Sequence, residues 1–151
     1  LVEAQVNISA PKTAVWAVMT DIDNAASFLS GVEKIEVIEK PADGLIGMTW
    51  RETRMYFGKP ATVEKQITGA AENDFYKTRA EDSGFVFLST MKISENSDGS
   101  VTLTSSHDTQ PQGFAAKLKS APMIFFKGML KNALVQDLND IRSAVENPRS
   151  S

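Results

Sequence analysis

The two ends of this chain constrain its fold more than any other feature. At Ala10-Pro11 the opening segment changes from strand alternation to helical spacing, and after a series of polar, turn-punctuated segments the chain closes on one long amphipathic helix. In the first segment Val2, Ala4, Val6 and Ile8 share one face while Glu3, Gln5 and Asn7 share the other, the period of a half-buried strand. Ser9 is placed to cap the helix that follows. Pro11 suits its first turn, where the missing N–H would have no partner, and Val15, Val18, Met19 and Ile22 recur at helical spacing. A second short helix is predicted from Asn24 to Leu29, ending at Gly31. This order points to a curved antiparallel sheet gripping one long helix, with a cavity between them.

Strand-like runs occupy the middle: Val32 to Glu39, Ile46 to Tyr56, Ala61 to Thr68, Phe75 to Glu81, Phe85 to Ser94 and Ser100 to Asp108. Turn-forming residues such as Pro41-Ala42-Asp43-Gly44, Gly58-Lys59-Pro60 and Asn96-Ser97-Asp98-Gly99 separate them, and the connections are too short for parallel crossovers. With the first strand, seven antiparallel strands are expected. After Gln110-Pro111-Gln112-Gly113 the spacing turns helical, and Met123, Phe126, Leu130, Leu134, Leu138, Ile141 and Val145 project onto one narrow face. Pro122 marks the first turn of this helix or a kink after a shorter one at Phe114 to Ser120. The expectation is a single domain over residues 1–147 with a disordered tail at 148–151.

A net charge of −3 and a pI near 5.2 argue against sequence-independent binding to nucleic acid or to an anionic membrane. No cysteine is present, so thiol nucleophiles, disulfides and cysteine-based metal sites are excluded. No apolar run approaches the roughly 18 residues needed to span a bilayer. The default expectation is a cytoplasmic protein, monomer or homodimer, with no cofactor implied. Asp21-Ile22-Asp23-Asn24 has the start of a calcium loop but Ala26 where the glycine belongs, so helix capping is the reading preferred.

The run from Ile8 to Asn24, with its Ser9-Ala10-Pro11 and Val15-Trp16 steps, resembles the amino-terminal signature of the START/Bet v 1-like superfamily, in particular the polyketide cyclase/dehydrase and lipid-transport group called SRPBCC. Ile46-Gly47-Met48-Thr49-Trp50-Arg51-Glu52-Thr53-Arg54, followed by Gly58-Lys59-Pro60-Ala61-Thr62-Val63-Glu64, is a second match. The resemblance covers nearly the whole chain and implies an α+β helix-grip fold of order β-α-α-β6-α. It implies a cavity rather than a reaction, because the superfamily includes lipid and hormone carriers, aromatase/cyclases and co-chaperone domains.

With Gly58-Lys59 as a turn, Trp50, Glu52, Arg54 and Tyr56 share a face with Ala61, Val63, Lys65 and Ile67, leaving an almost wholly polar set on the other side. The first set then faces inward and carries Glu52, Arg54 and Lys65 among apolar neighbours, where unpaired burial is costly. A mutually neutralising cluster at the cavity rim is the structural reading; a polar anchor for a ligand's carboxylate, carbonyl or hydroxyl is the functional one. Asp137 borders the apolar stripe of the terminal helix and is expected at its wet edge rather than paired inward. His107 is the sole histidine, and in Ser105-Ser106-His107-Asp108 only Ser105 shares its face, so a hydrolytic triad is not supported.

The ligand-binding set expected from these arguments is Trp50, Tyr56, Phe87, Met91, Phe126 and Leu130 for apolar contact, with Glu52, Arg54 and His107 orienting polar groups. The leading expectation is a carrier or sensor of a hydrophobic small molecule such as a lipid, polyketide or aromatic compound. A cyclase/dehydratase-like enzyme is the alternative, with Arg54 or Tyr56 polarising a carbonyl and Glu52 or His107 moving a proton. A co-chaperone-type interaction domain, which needs an exposed apolar patch, is a third reading.

Overall fold

The computed structural model describes residues 1–56, 58–82, 84–112 and 123–148, and their side chains except at Tyr56 and residues 123–127. The expected helix at Phe114 to Ser120, Pro122 and the last three residues of the tail lie outside the described residues. The elements run β1 (Val2–Ile8), α1 (Lys12–Met19), a 3-10 turn (Ile22–Asn24), α2 (Ala25–Phe28), β2 (Val32–Glu39), β3 (Thr49–Tyr56), β4 (Lys59–Ala71), β5 (Phe75–Asp82), β6 (Phe85–Glu95), β7 (Val101–Pro111) and α3 (Met123–Glu146).

All seven strands pair antiparallel in the order β1-β7-β6-β5-β4-β3-β2. Strands β2 to β7 form a meander because each turn is too short for anything but a hairpin. The chain crosses from β1 at one edge to β2 at the other through α1 and α2. A register shift between Ile67 and Gly69 in β4, and two more between β2 and β3, place extra residues where the sheet bends. Turn glycines at 44, 58, 84 and 99 take positive φ, which a side-chain-bearing residue adopts only with strain.

Several boundaries differ from those read off the sequence. β3 begins at Thr49 rather than Ile46, and Ile46 is left 58% exposed in the preceding loop. β4 extends to Ala71 and β7 to Pro111 because their neighbours supply a continuous ladder. Ser9 does not cap α1. Pro11 holds the cap position without a side-chain hydrogen bond, and the Ser9 N–H instead donates to Glu146 Oε2 at 2.8 Å. Asp21 accepts from the Asn24 side chain rather than capping a backbone N–H, so the capping reading of that segment is also replaced. Among the described residues no cluster of acidic or histidine side chains is arranged to hold a metal ion.

The main core forms where the C-terminal half of α3 crosses β1, β6, β7 and α1. Ile8, Val15, Val101, Leu103 and Leu138 have essentially no exposure there. A second core of Ile22, Met48, Trp50 and Ile67 lies toward β2 and β3, and Tyr76 packs against both. Polar ties also fasten the C-terminal half of α3. Asp140 accepts from both the N–H and the hydroxyl of Ser30 at 2.9 and 2.8 Å, beside the Glu146 contact to Ser9.

Candidate functional site

The β3–β4 hairpin sets the site. Its ladder pairs Tyr56 with Lys59, Arg54 with Ala61, Glu52 with Val63 and Trp50 with Lys65, two residues away from the register expected with Gly58-Lys59 at the turn. A shift of two preserves the facing of every side chain, whereas a shift of one would reverse it. Glu52 is therefore buried at 8% exposure, and the Arg54 and Lys65 side chains at 14% and 28%. Arg51, Thr62, Glu64 and Gln66 lie exposed on the other side.

Glu52 is the centre of a closed network. Its Oε1 accepts from Trp50 Nε1 at 3.3 Å, and its Oε2 accepts from Arg54 Nε at 2.7 Å and from Lys65 Nζ at 2.9 Å. Arg54 also donates to both oxygens of Asp137 on α3, at 3.2 and 2.8 Å. Asp137 thus does not sit unpaired at the wet edge of the helix stripe, as the sequence projection suggested. A sheet arginine reaches it, because Gly31 has no Cβ where one would stand 3.0 Å from Arg54 Nη1.

The electrostatics follow from this geometry. Burial alone would push the Glu52 carboxyl up, but Lys65 and Arg54 outweigh it and hold the carboxyl down at about 2. Burial works against the Arg54 charge, yet Glu52 and Asp137 more than compensate, and its affinity for the proton is raised above the ordinary value. Burial pushes the Tyr76 hydroxyl well up, and the charges of Glu52 and Asp137 push it further, so it stays protonated. Tyr76 was not singled out in the sequence. The signal available was an aromatic at an inward position of β5, and its edge-on contact with Trp16 is at 6.4 Å between ring centres.

On β7 and β6 the concave face carries a separate polar group. His107 lies opposite Ser89, whose Oγ is 3.4 Å from Nδ1, and its ring is 5.9 Å from that of Phe87. Burial, and then the charge of Lys65, lower its proton affinity to about 4, so the imidazole is neutral near pH 7. Ser89 was missed because cross-strand pairing, not local sequence, brings it to His107.

Trp50, Glu52, Arg54, Phe87, Met91 and His107 thus share the concave face, and Leu130 is half-buried on α3. The side chains of Tyr56 and Phe126 lie outside the described part. Met129 on α3 is 37% exposed.

An antiparallel seven-stranded sheet curved around a C-terminal helix is the helix-grip architecture of START and Bet v 1 proteins. The chain belongs to the polyketide cyclase / dehydrase and lipid transport family, which matches residues 1–146. Its fold is similar to that of a START superfamily protein from Mycobacterium smegmatis, with a TM-score of 0.80, 15% identity and 98% of each chain covered. It is also similar to the Zhui aromatase/cyclase from Streptomyces sp. R1128, with a TM-score of 0.73, 20% identity, and 96% of this chain and 92% of that one covered. Norcoclaurine synthase from Thalictrum flavum, solved with dopamine and hydroxybenzaldehyde, matches with a TM-score of 0.71, 17% identity, and 99% of this chain and 88% of that one covered. No curated protein matches the chain. Among the described residues no helix is long and apolar enough to cross a membrane.

Proposed function

We propose that the protein binds a hydrophobic small molecule, a lipid, polyketide or aromatic compound, between the curved sheet and α3, acting as a carrier or sensor in the cytoplasm as a monomer or homodimer. The observation that carries this reading is a contrast along the concave face. Ile8, Ile93, Val101 and Leu103, under the C-terminal half of α3, are at most 5% exposed, whereas Phe87, Ser89, Met91 and His107 further along the same strands are only half-buried. Side chains that point inward from the concave face yet keep accessible surface fit an interior that is not filled by the protein's own groups.

In this role Phe87, Met91 and Leu130, with Tyr56 and Phe126, supply apolar contact and the polar groups of the sheet orient the ligand, whereas Trp50, 3% exposed among Ile22, Met48 and Ile67, belongs to the core rather than to the contact surface expected for it. A panel of fatty acids, polyketides and polycyclic aromatics in thermal-shift assays, with native mass spectrometry of the purified protein, tests it. A bound compound or a saturable rise in melting temperature is expected. Absence of both across the panel overturns the reading.

A catalytic reading draws support from His107 alone. A neutral imidazole on the concave face has a ring nitrogen able to accept a proton, though burial makes it a weak base, whereas Glu52 is held ionised by three donors and Arg54 is committed to two carboxylates. Any proton acceptor in a cyclase-like reaction would be His107 rather than Glu52.

A further inference from the structure

Within the charged network every carboxylate oxygen already accepts a hydrogen bond, while the Lys65 ammonium keeps donors to spare. Both oxygens of Glu52 and both of Asp137 already accept hydrogen bonds. An ammonium carries three N–H donors, and among the described residues that of Lys65 has a single partner, Glu52 Oε2.

The sheet register shows what Lys65 borders. Across the concave face the ladder runs from Lys65 to Ala80 and on to Phe87, with Thr78 and Ser89 in the adjacent row that ends at His107. Small residues on β5 thus form a floor between a lysine on one side and an aromatic–imidazole pair on the other. Lys65, Phe87 and His107 all keep accessible surface above that floor, while Ala80 and Thr78 are buried at its base.

We infer that this part of the concave face takes the ionised oxygen acid of an amphipathic ligand, a carboxylate attached to an apolar body, with Lys65 as its charged hydrogen-bond donor. The inference rests on the ligand-binding reading above and specifies the polar end of that ligand. A cationic head group would meet Lys65 and Arg54 while the neighbouring carboxylates are already engaged. A neutral His107 brings no competing charge and offers Nε2 as a second polar contact, and the Tyr76 hydroxyl stays un-ionised. An anion adds an acceptor where donors are in surplus, and a hydrogen bond between charged partners is about twice as strong as one between neutral groups.

Matched pairs test this by isothermal titration calorimetry at pH 7.5: decanoate against methyl decanoate for an aliphatic body, and 1-naphthoate against methyl 1-naphthoate for an aromatic one. In at least one pair the acid is expected to bind about tenfold or more tightly than its ester. Lys65→Met should bring that ratio to within about threefold by weakening the acid and leaving the ester unchanged. Lys65→Gln, which keeps a hydrogen bond to Glu52 without the charge, should do the same and serves if the methionine variant does not fold. Equal affinity for acid and ester in the unaltered protein, or a preference that survives both substitutions, overturns the inference while leaving hydrophobic binding intact. Failure of all four compounds to bind overturns the inference, and the thermal-shift and mass-spectrometry panel then decides whether hydrophobic binding stands without it.

Discussion

Replacing Arg54 by methionine tests the physical basis of the helix's attachment to the sheet. The guanidinium makes three hydrogen bonds to two carboxylates, one on β3 and one on α3, at 14% exposure. Methionine fills much of the same volume but leaves Asp137 without its described partner, while Glu52 keeps Trp50 and Lys65. Breaking a buried pair from one side costs about 3–5 kcal/mol. Asp137, at 21% exposure, can gain water, which places the expected loss near the lower end, about 3 kcal/mol. For a domain of this length that is a fall in melting temperature of about 6–12 °C. With a urea dependence of about 2 kcal/mol/M, the midpoint shifts by about 1.5 M. Urea unfolding at pH 7 followed by the fluorescence of Trp16 and Trp50, the latter 3% exposed in the fold, measures it directly. The double variant Arg54→Met/Asp137→Leu removes both charges from that contact and should cost less than the two single changes together by about 1.5 kcal/mol or more. A loss below about 1 kcal/mol for Arg54→Met, or additivity within about 0.5 kcal/mol in the cycle, would refute the argument.

Two further outcomes follow from the same region. Because His107 takes up a proton near 6.5 when unfolded but only near 4 in the fold, stability should fall as pH drops from about 6.5 to 4, by up to about 3 kcal/mol before discounting for its partial exposure. His107→Gln should flatten that part of a urea-midpoint profile and spare the loss below about 4.5, where Glu52, held near 2 in the fold, begins to matter. An unchanged slope between pH 6.5 and 4 would count against the assignment. Gly31→Ala brings a Cβ to 3.0 Å from Arg54 Nη1 and should cost about 1 kcal/mol in the unaltered protein. In an Arg54→Met background the same change should become neutral or slightly stabilising, since alanine then only restricts the unfolded chain; the same penalty in both backgrounds would show that the arginine is not what it meets.

Periodicity and turn chemistry were enough to determine the order of elements, the seven antiparallel strands and the inward facing of Glu52, Arg54 and Lys65. Facing depends only on the parity of the register, so even a hairpin misplaced by two residues leaves each side chain on its proper side. The apolar stripe of α3 was equally legible, and Leu138 and Ile141 are buried where it places them. Partnership between distant segments was decided only by the tertiary structure. Arg54 and Asp137 are 83 residues apart, and nothing local to either tells that the helix will cross at the height where a forked guanidinium can span both carboxylates. The Ser89–His107 contact and the small floor of Thr78 and Ala80 likewise depend on which strands become neighbours. Local spacing sets which way a side chain points, but the balance of burial, charge and hydrogen bonding it meets there is a property of the assembled fold.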